Sequence, residues 1–128
     1  MSAFTVEFEN QPGRLADLCE VMAARGVNLV ICGVARGDTG TVAFIADDES
    51  AARTALQDAG FDARERDALT VRLKNAPGAG AATFRTLADA GVNVEVFLPV
   101  RVSDAQFVGV LCVDDHDAAR AVLGDVVR

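Results

Sequence analysis

Apolar and polar residues alternate at the start of the chain, where Phe4, Val6 and Phe8 are separated by polar residues. This period of two is typical of a strand with one buried face. Farther along, apolar residues recur every three or four positions, which predicts a helix that ends at Gly26. The expected apolar stripe of this helix is Leu15, Leu18, Cys19 and Met22.

Two runs of apolar residues flank a glycine-containing turn, which predicts a β-hairpin over residues 27–46. A second helix is predicted over residues 49–59, and Asp47 or Asp48 can cap its first turn. Residues 61–66 are expected to form a weak fourth strand. The first half of the chain therefore has the predicted element order βαββαβ.

Two short motifs occur twice along the chain. Residues 10–13 have the sequence Asn-Gln-Pro-Gly, and Asn-Ala-Pro-Gly follows 65 positions later at residues 75–78. The tripeptide Gly-Val-Asn at residues 26–28 recurs at residues 91–93 with the same spacing. A period of half the chain indicates that one small module is present twice.

The duplication predicts two repeats, at residues 1–66 and 67–128. A βαββαβ unit closes as an antiparallel sheet with both helices on one face, which is the ferredoxin-like α+β fold. The counterpart of Phe61 in the second repeat falls at Arg128. We therefore expect two ferredoxin-like sheets side by side, with seven strands and four helices, and with the last strand of the second repeat missing or shortened.

The charge and hydropathy of the chain argue against some classes of partner. Its formal net charge is −7 and it has one lysine, Lys74, whereas nucleic-acid binding needs clustered Lys and Arg. No stretch approaches the roughly 20 apolar residues that cross a bilayer. We expect no nucleic-acid partner, no membrane partner and a cytoplasmic location.

The sequence offers little for catalysis or metal binding. Cys19, Cys32 and Cys112 are odd in number and far apart, so neither a disulfide framework nor a zinc motif of paired thiolates is predicted. We expect all three to be buried free thiols. His116 lies among aspartates at a predicted helix start, without a neighbouring nucleophile. No catalytic residue, metal site or cofactor is predicted.

The Pro-Gly turn carries groups that can bind a small charged ligand. Pro12 presets the backbone φ, and Gly13 permits close backbone approach. The first amides of the following helix, at Gly13, Arg14 and Leu15, are expected to point outward without partners, and such a helix start attracts a carboxylate. The side-chain amide of Asn10 both donates and accepts, which suits a ligand with an α-carboxylate and an α-ammonium.

Residues 8–15 and 26–29, which contain the turn and Gly-Val-Asn, resemble the opening of an ACT domain. The whole chain resembles small proteins made of two tandem ACT domains. This resemblance implies that a free amino acid binds where the Pro-Gly loop of one domain faces the start of the second strand of its neighbour. One expected site combines Asn10, Gly13, Arg14 and Leu15 with Asn93, and the other combines Asn75, Gly78, Ala79 and Gly80 with Asn28.

The second expected site departs from the first because Gly80 replaces Leu15. Either the glycines there admit a bulkier ligand or the backbone of the other repeat, or this pocket has become a packing surface. The asparagines have a structural alternative as well. Asn10 before Pro-Gly can bond its own turn, and Asn28 can shape the entry to a strand.

A dinucleotide-binding motif is matched only weakly at Gly78 and Gly80 with Glu95 farther on, because Thr83 stands where a third glycine is expected. We favour a non-catalytic, cytoplasmic regulatory protein that binds a free amino acid at the interface of its repeats. The alternative is a regulatory subunit that docks on an amino-acid biosynthetic enzyme. A third hypothesis, an enzyme on this scaffold, would need a polar cluster in another pocket. A homodimer is compatible with the sequence.

Overall fold

The computed structural model describes residues 1–127, which form two compact units. One unit comprises Ser2–Arg66, and the other begins at Asp67 and includes Met1. The first repeat contains β1 (Ser2–Glu9), α1 (Arg14–Ala23), β2 (Leu29–Arg36), β3 (Thr39–Ala46), α2 (Glu49–Ala59) and β4 (Asp62–Asp67). The second contains β5 (Leu69–Lys74), α3 (Ala79–Asp89), β6 (Val94–Val102), β7 (Gln106–Val113), α4 (His116–Leu123) and a short 3₁₀ turn (Gly124–Val126).

The two sheets have equivalent strand orders. The first is ordered β2-β3-β1-β4 and the second β5-β7-β6. The third strand of each repeat pairs antiparallel with the first and second strands, so that Phe8 lies opposite Gly40 and Leu73 lies opposite Phe107. The predicted α+β fold of two βαββαβ-type repeats is confirmed, with seven strands and four α-helices in residues 1–127.

The second repeat has only a vestige of a fourth strand in its described part. In the first sheet β4 lies beside β1. At the equivalent edge of the second sheet, Val127 forms an isolated antiparallel bridge to Val71 on β5. The predicted shortening of the last strand is confirmed, while Arg128, the expected counterpart of Phe61, lies outside the described residues.

Each repeat has its own hydrophobic core between the sheet and the two helices. In the first repeat Phe4 and Val6 are buried, as their alternation predicts, and Phe4 stacks on Phe44 with ring centroids 5.3 Å apart. Burying a side chain of this size stabilises the folded state by about 1.5–3 kcal/mol. The second core consists of Leu69, Val71, Leu87, Val92, Leu111, Val113, Ala119 and Leu123.

The buried face of α1 is narrower than the predicted stripe. Leu18 and Met22 are buried, but Leu15 is 50% exposed and Cys19 is exposed. Leu15 and Cys19 are four residues apart, so they occupy one flank of the helix beside the buried row. That flank does not contact the core, and the prediction is wrong for these two residues.

The prediction of three buried thiols is also wrong in part. Cys112 is buried, but Cys19 and Cys32 are exposed, and all three are free. Cys32 follows Ile31 in the edge strand β2, and Ile31 packs against the core. Because successive side chains of a strand point to opposite faces, Cys32 lies on the face away from the helices.

An Asp-Asp pair precedes the second helix of each repeat, and its second carboxylate caps that helix. Asp48 accepts a hydrogen bond from the amide of Ala51 at 3.0 Å, and Asp115 accepts one from the amide of Ala118 at 2.9 Å. Of the two predicted caps for α2, Asp48 is therefore the one that binds the first turn.

An ion pair joins α2 to β4 in the first repeat. Arg53 donates from Nε to Oε2 of Glu65 at 2.7 Å and from its terminal nitrogen to the other carboxylate oxygen. These hydrogen bonds lower the pKa of Glu65 to about 2, against a smaller opposing effect of burial, and a hydrogen bond from Ser2 adds to the lowering. Bidentate pairs of this kind are the stronger class of ion pair.

We expect Glu65→Gln to lower the free energy of unfolding at pH 7 by at most about 1 kcal/mol, because the pair is partly exposed. The folded-state pKa of Glu65 lies below the unfolded value, so its contribution is present above the ordinary pKa of 4.5 and is lost as the pH falls towards 2. Urea unfolding of both proteins at pH 7, 4.5 and 3 measures this, with Glu20→Gln as the control. A difference that does not shrink with acid would contradict the assignment.

Candidate functional site

The two Pro-Gly turns have the same backbone conformation. Gly13, the N-cap of α1, has φ 92° and ψ −13°, and Gly78, the N-cap of α3, has φ 88° and ψ −13°. This left-handed conformation is costly for a residue with a Cβ, which explains why both repeats have glycine here. Neither helix start has a side-chain cap, so its amides stay available.

The first-turn amides are only partly satisfied by the protein. The Arg14 amide donates to the carbonyl of Gln11 at 3.4 Å, and the Ala79 amide donates to the carbonyl of Ala76 at 3.3 Å. Both are longer than the usual 2.7–3.2 Å range. The Leu15 amide has no protein partner in the described part of the chain. The expectation of three unpaired amides therefore has to be corrected for Arg14, which is weakly bonded.

Asn10 and Asn75 tie each turn to the tip of the adjacent hairpin. Nδ2 of Asn10 donates to the carbonyl of Gly37 at 2.9 Å, and Nδ2 of Asn75 donates to the carbonyl of Ser103 at 2.6 Å. The structural alternative for Asn10 was a bond within its own turn, and the bond found instead reaches 27 residues along the chain. One N–H and the Oδ1 acceptor of each amide remain for a ligand.

Asn28 and Asn93 occupy equivalent positions just before β2 and β6. The backbone N–H of Asn28 donates to Oδ1 of Asp47 at 2.9 Å, and the backbone N–H of Asn93 donates to Oδ1 of Asp114 at 2.8 Å. The first aspartate of each Asp-Asp pair thus positions the asparagine, a role that the sequence analysis did not assign. The recurrence of the pair in both repeats is the signal that could have revealed it.

Within one repeat, the turn and the Gly-Val-Asn motif are far apart. Asn10 bonds to the hairpin tip at the end of β2, whereas Asn28 precedes the start of that eight-residue strand. At roughly 3.3 Å per residue, β2 separates them by about 25 Å. A single repeat therefore cannot bring Asn10 and Asn28 to one small ligand. The predicted combinations of Asn10 with Asn93 and of Asn75 with Asn28 stay predictions.

A cavity of about 310 Å³ opens beside the Asn10 turn in the first repeat. This volume falls at the lower end of the range for small-molecule pockets. The cavity extends from the turn and the first residues of α1 to the middle of the β2-β3 hairpin. Its lining residues are Phe8, Asn10, Gln11, Leu15, Gly33, Val34, Ala35, Gly40, Thr41 and Val42.

The equivalent cavity in the second repeat is smaller, at about 210 Å³. Two phenylalanine rings, Phe97 and Phe107, form part of its lining. It is also lined by Lys74 and by three residues of the predicted site, Asn75, Ala79 and Gly80, but not by Gly78. The lining residues are Leu73, Lys74, Asn75, Ala76, Ala79, Gly80, Phe97 and Phe107.

Gly80 and Thr83 of α3 stand where the first repeat has Leu15 and Leu18. A Cβ built on Gly80 would lie 3.7 Å from the ring of Phe84, which is an ordinary contact. The Thr83 hydroxyl donates to the carbonyl of Ala79 at 2.9 Å, within its own helix. Both interpretations of this pocket stay predictions.

A wider cavity of about 750 Å³ lies along α1 and the start of β4, and it shares the lining residue Phe8 with the Asn10 cavity. Carboxylates of Glu7, Glu9, Asp17, Glu20 and Asp62 line it, together with Arg14, which pairs with Asp17 at 3.7 Å. Five carboxylates against one guanidinium would repel the carboxylate of a free amino acid. We therefore do not place the amino-acid site there.

His116 has a structural contact. Its Nε2 lies 2.9 Å from the carbonyl oxygen of Asp67, a residue of the same compact unit. In residues 1–127 no group of three or more His, Cys, Asp or Glu side chains is arranged to hold a metal ion. Nor does any helix in that range have the length and apolar character needed to span a bilayer.

Comparisons with known proteins agree with this architecture. The family model described as an ACT domain pair matches residues 3–125. Protein BT0572 of Bacteroides thetaiotaomicron is 26% identical, with a TM-score of 0.84 over 99% of this chain and 90% of that one. The ligand-free regulatory subunit of aspartate kinase from Thermus thermophilus is 21% identical, with a TM-score of 0.71 over 98% and 91% of the two chains.

A third similar structure contains the alpha and beta subunits of an aspartokinase, at 18% identity and a TM-score of 0.69 over 98% of this chain and 90% of that one. At such identities the two kinase structures establish a shared fold. No protein of curated function matches the sequence.

Matched alanine variants at the start of α3 test the role assigned to the left-handed turn glycine. We expect Gly78→Ala to destabilise the protein by about 1–2 kcal/mol, because alanine is strained at φ 88°. Gly80→Ala, two residues later, should be neutral or stabilising by up to about 1 kcal/mol, because that glycine is helical and has room for a Cβ. Chemical denaturation measures both, and equal destabilisation by the two changes would contradict the assignment.

Proposed function

The chain belongs to the ACT domain pair family, and we propose that it is a regulatory protein that binds a free amino acid beside the Asn10 turn. The observation that carries this proposal is the 310 Å³ cavity, whose lining includes Leu15 at the start of α1 and Asn10, whose side chain has an acceptor and one N–H left for a ligand. Polar groups are confined to one end of the cavity. That distribution suits a small ligand with a zwitterionic end and a side chain.

Each group at the turn has a role in the proposed complex. The α-carboxylate would accept hydrogen bonds from the amides of Gly13 and Leu15 at the positive end of α1. The α-ammonium would donate to Oδ1 of Asn10, whose Nδ2 is already held by the hairpin tip. Because that bond orients the asparagine before the ligand arrives, little side-chain entropy is lost on binding.

The predicted second component of the site is the asparagine of the opposite repeat. We propose that Asn93 completes the site that contains Asn10. The backbone N–H of Asn93 donates to Asp114. Binding that requires both repeats would favour one arrangement of the two, and this free-energy difference would couple ligand concentration to regulation. We further propose that the regulated activity resides in a separate partner in the cytoplasm and that this chain is not itself catalytic.

A second candidate function is docking on an enzyme of amino-acid metabolism. It is favoured by exposed apolar side chains on the edge strand β2, where Val34 is 72% exposed and Val30 is 37% exposed. Two of the similar structures belong to aspartate kinases, which makes an enzyme of that class the partner we would test first. The two functions are compatible, since an amino-acid site could control such docking.

A thermal-melt screen against the common amino acids, one at a time, tests the proposed function. A ligand at 100 times its dissociation constant should add about 2.7 kcal/mol, which is a shift of a few degrees for a chain of this size. Calorimetry is the suitable readout because the chain contains neither Trp nor Tyr. If no amino acid raises the melting temperature, amino-acid binding is ruled out and docking becomes the better function.

Two asparagine variants locate the site within this screen. Asn10→Ala should remove most of the ligand-induced shift, whereas Asn75→Ala should leave it largely intact. The Asn75 variant is a matched control for the Asn10 variant, because each substitution removes an equivalent hydrogen bond to a hairpin tip. Asn93→Ala should also reduce the shift if the opposite repeat completes the site. An equal loss in the Asn10 and Asn75 variants would place binding elsewhere.

A further inference from the structure

We infer that the first-repeat cavity selects an amino acid with an uncharged, apolar side chain of about the size of valine to methionine, and that each chain binds one such ligand. This inference rests on the proposed function and specifies its ligand class and stoichiometry. It is based on a comparison of two cavities that lie beside Pro-Gly turns of the same conformation but are lined by different side chains.

The lining of the first cavity contains no ionisable side chain. Beyond the polar side chains of Asn10 and Gln11, its walls are formed by Phe8, Leu15, Ala35 and Val42. Thr41 also lines it, but successive side chains of a strand point to opposite faces, so the Thr41 side chain points away from that of Val42. A charged ligand side chain would lose its hydration there without gaining a counter-ion, which costs several kcal/mol. An apolar side chain would gain about 0.8 kcal/mol for each buried CH₂.

Phe8 and Val42 pack closely over two glycines of the hairpin. A Cβ on Gly40 would lie 2.8 Å from the ring of Phe8, and a Cβ on Gly33 would lie 2.9 Å from Cγ1 of Val42. Real Cβ atoms do not come so close, so a larger residue at either position would displace one of these side chains. The two glycines therefore let Phe8 and Val42 lie close to the sheet, where both line the cavity.

In the second repeat the equivalent strand pair has two large residues. Phe8 opposite Gly40 becomes Leu73 opposite Phe107. Both Leu73 and Phe107 line the second cavity, whose volume is about 210 Å³ against about 310 Å³ for the first.

Further aromatic contacts hold the ring of Phe107 in place. Phe97 stacks on Phe107 with centroids 5.6 Å apart, and Phe84 meets Phe97 edge to face at 4.9 Å. Gly109 accommodates these rings, because a Cβ there would lie 2.6 Å from Phe97. Each aromatic contact of this kind contributes about 0.5–1.5 kcal/mol beyond its burial. Displacing the rings would be costly, so the second cavity keeps its smaller volume and does not bind a ligand.

Titration calorimetry with single amino acids tests the ligand class and the stoichiometry. We expect valine, leucine, isoleucine or methionine to bind on the order of 10–200-fold more tightly than alanine, which lacks the chain to fill the cavity. Aspartate and lysine should bind more weakly still, and the stoichiometry should be one ligand per chain. Tight binding of aspartate or lysine, or two equal sites per chain, would overturn the inference and leave the proposed function standing.

A matched pair of variants tests the cavity itself. Ala35→Leu places extra methyl groups at the exposed rim of the first cavity, and we expect it to weaken binding at least 10-fold. Val102→Leu at the register-equivalent position of the second repeat lies outside the lining of either cavity and should leave affinity unchanged. Melting curves without ligand verify that both variants fold.

Equal affinity in the two variants would overturn the inference, because the ligand would then lie outside this cavity. A complete lack of binding by every amino acid would remove the proposed function and this inference together. The two failures are therefore distinguishable in one series of titrations.

Discussion

In each repeat the chain must turn from the first strand into a helix within four residues, and a glycine in the left-handed conformation makes that turn possible. Gly13 and Gly78 differ by only 4° in φ, so the two turns are nearly identical in shape. The conformation leaves the helix start without a side-chain cap, and its amides are not fully used by the protein. The same constraint that closes the fold thus creates the polar end of the candidate site.

The asparagine that precedes each turn links this local geometry to the rest of the repeat. Its side chain bonds to the hairpin tip, and the first aspartate of each Asp-Asp pair bonds to the residue before the second strand. These bonds recur in both repeats, whose Pro-Gly turns have the same backbone conformation. They position the polar groups at both ends of the second strand without using all of their hydrogen-bonding capacity.

The repeats differ where the backbone imposes no requirement. The pair Phe8 and Gly40 and the pair Leu73 and Phe107 occupy equivalent places in equivalent registers, yet the open volume beside them differs. Three contacting phenylalanine rings pack beside the smaller second cavity, and each contact stabilises the folded state beyond the burial of the rings.

Hydrophobic periodicity together with turn residues predicted which elements form and their order, and the two recurring motifs predicted the duplication. The alternation of Phe4 and Val6 and the helical spacing of Leu18 and Met22 predicted buried residues, and all four are buried in the core. The same periodicity failed at Leu15 and Cys19, because a spacing of three or four cannot distinguish the buried row of a helix from its flank. Cys32 was expected to be buried because free cysteines usually are, but it lies on the face of β2 away from the helices.

The sequence by itself determined the fold class, the two turn glycines and the asparagines that mark the candidate site, since these depend on local conformation and on a repeat spacing of 65 residues. Only the tertiary structure decided which of the two aspartates caps a helix, where the side-chain amide of Asn10 bonds and which of the two turns has an open cavity. Those outcomes depend on contacts between residues such as Phe97 and Phe107, whose approach is set by strand register and ring packing.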